Sequence, residues 1–151
     1  TPFFLINTEF KGKYGIDYSI KSINPKNIIL RNFDLNYTKL PFKDNFFEVV
    51  TMLAVTEHMV PDKLLGIFKE IRRVLKPRGR FILTTPCPIT HQLLRLMAKF
   101  RLVSPIEIEE HKYAYDGLTI THYFDLAGFK IEKMKFGYFE MFLNSWAYVE
   151  K

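Results

Sequence analysis

Between Phe47 and Thr85 the chain alternates in a way that leaves few folds open. Phe47-Glu48-Val49-Val50-Thr51-Met52-Leu53-Ala54 is β-rich and mostly apolar, the pattern of a strand buried on both faces in the middle of a parallel sheet. From Pro61 to Leu75 the apolar residues Leu64, Leu65, Phe68, Ile71, Val74 and Leu75 recur at helical spacing, with Lys69, Glu70, Arg72 and Arg73 on the opposite side. Lys76-Pro77-Arg78-Gly79 stops that helix, and Arg80-Phe81-Ile82-Leu83-Thr84-Thr85 reads as another buried strand. Strand, helix and strand joined by short turns form a right-handed parallel unit.

The flanks extend the alternation. Thr1-Pro2 places a capping residue and a first-turn proline before a short helix. Lys13 to Asp17 and Asn27 to Asp34 read as strands, each ending in an acid. The stretch between them, broken by Asn24-Pro25, is too small for an ordinary crossover helix, so an omission of residues near Ser22 to Asn27 is a further expectation. After Pro86-Cys87-Pro88, Thr90 begins an amphipathic helix with Leu93, Leu94, Met97 and Phe100 on one side. A polar stretch from Ser104 to Asp116 precedes a helix over Leu118 to Ala127, with Gly128 as its left-handed cap. Closing strands over Phe129 to Lys135 and Phe139 to Tyr148 lie so close together that they must pair as an antiparallel hairpin. The expected fold is a three-layer α/β sandwich, its sheet mostly parallel with an antiparallel C-terminal hairpin strand, in a single domain over residues 1–151. In such sheets ligands bind beyond the carboxyl ends of the strands, where Asp17, Asp34 and Leu53-Ala54 fall.

Composition narrows the function classes. A chain of 151 residues that is 48% hydrophobic and 25% charged can bury a core, so disorder and fibrous architecture are excluded. The single Cys87 forms no internal disulfide, no stretch has the order of a signal peptide, and no apolar run reaches the roughly 18 to 20 residues of a membrane span. The expected location is cytoplasmic. A net charge of +6 suits an acidic or nucleic-acid partner, but the basic residues are dispersed. Aromatic residues reach 16%, which is more often a core than a stacking pocket.

Six short segments carry a resemblance. Tyr14-Gly15-Ile16-Asp17-Tyr18-Ser19 is similar to V-G-[IV]-D-x-S, and Asp34 is followed by Leu40-Pro41-Phe42. Phe46-Phe47-Glu48-Val49-Val50 is similar to F-D-[VL]-V, and Thr56-Glu57-His58-Met59 to [LV]-E-H-[VI]. Glu70 to Phe81 resembles E-x-x-R-V-L-K-P-G-G-x-[LF], and Leu126-Ala127-Gly128-Phe129 contains the small-Gly-Phe step before a late strand. In this order they resemble the class I S-adenosylmethionine-dependent methyltransferases, the Rossmann-like group that includes ubiquinone-biosynthesis and other small-molecule enzymes.

The resemblance implies S-adenosylmethionine as cofactor and a set of site residues. Asp17 takes both ribose hydroxyls, with Tyr18 beside it. Asp34 and the backbone amide of Leu35 select adenine, and Leu53 lines the adenosine or methionine portion. His58 is the candidate general base, followed by Tyr18, and the Thr90 to Tyr115 segment builds the acceptor lid. Each residue also has a plain structural alternative. Asp17 and Asp34 are types that cap turns, Leu53 suits a core, and Glu57 and His58 can cap the following helix. His91, His111 and His122 have no metal-ligand spacing with Cys87, so no metal site is expected, and Cys87 has no evident base partner.

The chain departs from the family pattern at one point. The glycine cluster D-x-G-x-G-x-G after the first strand, which admits the methionine part of the cofactor, is not formed by any of the seven glycines. The expectation is therefore a domain whose first strand and glycine loop are missing from these residues at the N-terminus. The favoured activity is methyl transfer to oxygen, nitrogen or carbon of a small molecule by in-line displacement. A nucleic-acid methyltransferase, suggested by Arg72, Arg73, Lys76, Arg78 and Arg80, and a catalytically silent binding protein are the alternatives. No [DN]-P-P-[YF] motif of base amino-group methylation follows Leu53.

Overall fold

The computed structural model describes residues 3–18, 27–35, 39–100 and 113–151. They fall into two compact units, Thr1–Tyr37 and Thr38–Lys151. In the first, helix α1 (Phe3–Ile6) precedes strands β1 (Lys13–Asp17) and β2 (Ile28–Asn32), which pair in parallel with Asp17 opposite Asn32. A side chain at Gly15 would lie 2.7 Å from Leu30 and 3.4 Å from Leu5, so glycine is what lets both leucines close over β1. The parallel pairing is as expected, although β2 is shorter than the Asn27 to Asp34 segment. The short connection between these strands and the Thr1-Pro2 cap lie outside the described residues, except for Asn27, which is left-handed (φ 69°).

The second unit contains β3 (Phe47–Leu53), a 3-10 turn (Thr56–His58), α2 (Pro61–Val74), β4 (Leu75–Pro86), α3 (Pro88–Lys99), α4 (Gly117–Leu126), β5 (Lys130–Phe139) and β6 (Asn144–Glu150). Its sheet runs β3-β4-β6-β5, with β3 parallel to β4 and β6 antiparallel to both neighbours. The closing hairpin therefore exists, and its second strand is inserted beside β4.

Three sequence expectations are corrected here. First, burial on both faces is not what β3 shows: it stands at an end of the sheet described for this unit, and only Met52 of the strand is buried. Second, the hairpin reverses at 140–143, not between Lys135 and Phe139. Glu140, Met141 and Phe142 make the turn with left-handed backbone (φ 51°, 53° and 68°). Gly137 serves another purpose, since a Cβ there would stand 2.7 to 2.8 Å from the Trp146 ring on the paired strand. Third, α3 starts on Pro88 rather than Thr90, because proline at the first helical position needs no hydrogen-bond acceptor. The Thr90 hydroxyl instead donates to the Leu143 carbonyl, and the Cys87 amide donates to the same oxygen at 2.9 Å.

Burial alternates along the sheet. Phe81, Leu83 and Thr85 of β4 and Ser145, Ala147 and Val149 of β6 face one side and are buried, whereas Ile82, Thr84, Trp146 and Tyr148 on the other side are half-buried. That period of two replaces the two-sided burial expected for β4. On the buried side α2 and α4 supply Leu64, Phe68, Ile71, Ile120 and Phe124. Phe68 meets Phe81 edge-on at 5.2 Å, and Phe124 packs on Phe81 at 5.5 Å and Phe129 at 5.6 Å. Each such ring pair contributes about 0.5–1.5 kcal/mol beyond area burial. Helix α4 begins on Asp116, whose carboxylate accepts from the Thr119 amide at 2.8 Å, and ends before Gly128 at φ 84°.

Candidate active site

Both units present the carboxyl ends of parallel strands, and the expected cofactor residues occupy them. In the first unit Asp17 is exposed at the end of β1, with Tyr18 next to it. The Phe33 amide donates to the Asp17 carbonyl at 3.0 Å, which carries the β1–β2 pairing one step past the strands. Asp34 and Leu35 follow directly, both half-buried. Four expected residues thus share one edge of a two-stranded parallel sheet.

In the second unit Leu53 closes β3 opposite Thr84 and is 38% exposed. The chain then turns through Ala54 in the left-handed region (φ 52°), its amide held by the Thr84 carbonyl at 3.1 Å and the Thr84 hydroxyl at 3.2 Å. The 3-10 turn that follows buries Glu57 and leaves His58 exposed. Thr56 donates weakly to the Glu57 carboxylate at 3.4 Å.

Beyond the end of β4 opens a cavity of about 400 Å³. Tyr115, Phe136, Tyr138 and Phe142 line it together with Ser145, and Asp116 is also part of its lining. Register explains the grouping: Phe136 pairs with Ala147 and Tyr138 with Ser145, so these side chains share the face that α4 covers. Gly117 lets the first turn of α4 descend onto Phe136, whose ring would stand 2.8 Å from a Cβ at that position. The Tyr115 hydroxyl donates to the Met59 carbonyl at 2.7 Å, and burial pushes its pKa up to about 12, with Tyr123 and Tyr113 adding to the rise. Tyr115 is therefore a neutral phenol at physiological pH. Thr85, paired with Ser145 and on the same face, keeps a buried hydroxyl without a hydrogen-bond partner.

Sequence reasoning did not single out these cavity residues. The usable signals were the i, i+2 spacing of Phe136 and Tyr138 and the Asp116 to Thr119 capping interval. Residues 101–112 of the expected acceptor lid, including His111, lie outside the described residues. Among the described residues no group of three or more potential metal ligands occurs, and no helix is long and apolar enough to cross a membrane.

Three members of the basic cluster that pointed to nucleic acid, Arg72, Arg73 and Lys76, are engaged within the fold. Arg72 donates to the Gly128 carbonyl at 2.7 Å, Arg73 pairs with Glu70 at 2.7 Å and Asp44 at 2.6 Å, and Lys76 pairs with Glu48 at 2.8 Å.

A protein-family profile described as a methyltransferase domain matches residues 7–83, a span that contains β1, β2, β3, α2 and most of β4. The chain belongs to that methyltransferase family. An uncharacterized protein of Methanocaldococcus jannaschii is 29% identical over 129 residues, covering 85% of this chain and 50% of the relative. A sterol 24-C-methyltransferase of Gibberella zeae is 37% identical over 76 residues, covering 50% of this chain and 19% of that enzyme. The chain thus spans half the length of the first relative and less of the second. Among solved structures, a SAM-dependent methyltransferase from Archaeoglobus fulgidus superposes with a TM-score of 0.67 at 15% identity, covering 91% of this chain and 75% of that one. The fold is the Rossmann-like methyltransferase fold, and S-adenosylmethionine is the cofactor that the methyltransferase family indicates.

Proposed function

We propose that this chain transfers a methyl group from S-adenosylmethionine to a small-molecule acceptor, in the cytoplasm, within a single domain. The observation that carries the proposal is the placement of Asp17 and Asp34 along one carboxyl edge of the parallel β1–β2 pair. Two carboxylates there match the chemistry of an adenosine: a vicinal diol donates two hydrogen bonds to Asp17, and the exocyclic amine of adenine donates one to Asp34. Tyr18 supplies an exposed ring beside the ribose, and the Leu35 amide is the remaining adenine contact. Leu53, which closes β3 in the second unit, is the residue that the family resemblance assigns to the adenosine or methionine portion.

The cofactor, when bound, supplies an electrophilic methyl group on a positively charged sulfur. The protein's part is proximity and orientation, with proton removal where the acceptor requires it. Exposed His58, just past β3, is the candidate for that proton. Tyr115 is not, because its phenol stays protonated.

Calorimetry with S-adenosylhomocysteine on the full-length protein and its Asp17→Ala variant tests the proposal. Binding by the wild type with at least tenfold weaker binding by the variant (about 1.4 kcal/mol) is expected. Absence of binding by the wild type, or equal binding by both, overturns the assignment.

A further inference from the structure

We infer that the cavity beyond β4 selects an organic cation, and that the methyl acceptor is accordingly an amine nitrogen. The inference rests on the methyl-transfer reading for the acceptor role, while the selectivity rests on the cavity alone. Four aromatic side chains, Tyr115, Phe136, Tyr138 and Phe142, line about 400 Å³ of space. Phe136 and Tyr138 stand perpendicular (90°) with centroids 5.2 Å apart, and Phe142 adds a third ring 5.6 Å from Tyr138. Aromatic side chains gathered around one space are the composition that attracts alkylammonium groups.

Charge points the same way. The protein carries 22 Lys and Arg against 16 Asp and Glu, yet among the described lining residues the charged side chain is Asp116, and no Lys or Arg lines the cavity. The hydrogen bonds from Thr119 hold the Asp116 carboxyl below its ordinary pKa, so the group is an anion at neutral pH. An anionic acceptor such as a phenolate or carboxylate would find no counter-charge in this lining. A neutral or cationic nitrogen compound finds aromatic faces, one carboxylate, and the hydroxyl of Ser145.

The chemistry of transfer fits that composition. An amine that has lost its proton to water donates its lone pair to the methyl carbon. The carbon–nitrogen bond forms as the carbon–sulfur bond breaks, and sulfur keeps the bonding electron pair as a neutral thioether. Positive charge thus moves from sulfur to nitrogen during the step. An electron-rich cavity without basic residues stabilises charge arriving on nitrogen, whereas transfer to an oxyanion consumes charge and gains nothing from it.

The test compares choline with its neutral carbon isostere 3,3-dimethylbutan-1-ol by calorimetry on the full-length protein, with S-adenosylhomocysteine binding measured in the same preparations. Choline is expected to bind about tenfold or more tightly than the isostere. Asp116→Asn keeps the capping acceptor while removing the charge, and Phe142→Leu keeps an exposed apolar side chain while removing the ring. Each is expected to weaken choline binding by about three- to tenfold and to leave the isostere unchanged. Equal binding of the two probes, or choline binding untouched by both substitutions, overturns the inference. So does absence of choline binding in protein that binds S-adenosylhomocysteine. Selective choline binding without S-adenosylhomocysteine binding upholds the cation site and overturns the methyl-transfer reading instead.

Discussion

Arg73 and Glu70 together hold the turn that precedes β3. The Leu40 amide donates to Glu70 at 2.8 Å, while Arg73 donates to the Leu40 carbonyl at 3.1 Å, the Phe42 carbonyl at 3.0 Å, and both oxygens of Glu70. Both side chains are largely buried, at 20% and 16% exposure. A helix residue pair thereby fixes a loop some thirty positions earlier in the chain, and Leu40-Pro41-Phe42 cannot move without breaking the Leu40 amide bond to Glu70 and the two carbonyl bonds to Arg73.

Arg73→Ala is accordingly expected to destabilise the fold by about 2–4 kcal/mol, because it strands two carbonyls and a partly buried carboxylate. Arg73→Lys restores less than half of that loss, since an ammonium lacks the planar fork that reaches all four acceptors. Urea unfolding of the three proteins measures the difference.

The same pair sets a pH dependence. The Arg73 hydrogen bond holds the Glu70 carboxyl below its ordinary value, with burial opposing and the Leu40 amide reinforcing the shift. A carboxylate with a lowered folded pKa contributes stability above about pH 4.5, its unfolded value, and that stability disappears as pH falls through the folded value. Glu70→Gln is expected to flatten the acid limb of the stability profile below about pH 4.5, and an unchanged limb contradicts the assignment.

Tyr115 sets the opposite limb. Its phenol is raised to about 12 in the fold, so between pH 10, its unfolded value, and about 12 the unfolded chain loses a proton that the native chain keeps. Stability therefore declines across that window as pH rises. Tyr115→Phe is expected to remove that decline and to cost about 1–2 kcal/mol at neutral pH through the lost bond to Met59. Absorbance titration at the tyrosinate band checks the first expectation directly.

Inside β4, where its register with β3 shifts, neighbouring residues respond in opposite senses. A Cβ at Gly79 would stand 2.7 Å from the Lys76 carbonyl, a backbone atom that cannot swing aside, so Gly79→Ala is expected to cost about 1–3 kcal/mol. Arg78 occupies the left-handed region at φ 63°, a conformation that costs a side-chain-bearing residue roughly 1–2 kcal/mol. Glycine gives back about 0.5–1 kcal/mol through its unfolded-state freedom. Arg78→Gly is thus expected to stabilise by up to about 1 kcal/mol, read as a shift in thermal midpoint.

Where local chemistry decides an element, the sequence was sufficient. The stripe from Leu64 to Val74, the glycine after Ala127 and the acid closing Lys13 to Asp17 each depend on neighbours within a few residues, and all three stand where the spacing put them. What escaped was set at long range. The position of β3 within its sheet depends on which strands flank it, and apolarity alone does not carry that information. The hairpin turn went to Glu140–Phe142 because Gly137 was needed under Trp146, a demand that comes from the partner strand. The places of Asp17 at the end of β1 and of Asp34 just past β2 were legible because strand ends are local, whereas the cavity joins α3, α4, β5 and β6, segments that become neighbours only in the folded protein.

The insertion of β6 between β4 and β5 also orders events during synthesis. Neither β4 nor β5 can be tied into one sheet until Asn144–Glu150 has left the ribosome, because every backbone link between them runs through β6. A nascent chain halted before Asn144 carries β4 and β5 with the edges that β6 later covers still bare, a state that invites pairing with other chains. Folding of this unit is therefore gated by the arrival of a seven-residue strand, and stalled or prematurely ended translation is the point at which the protein is most exposed to aggregation.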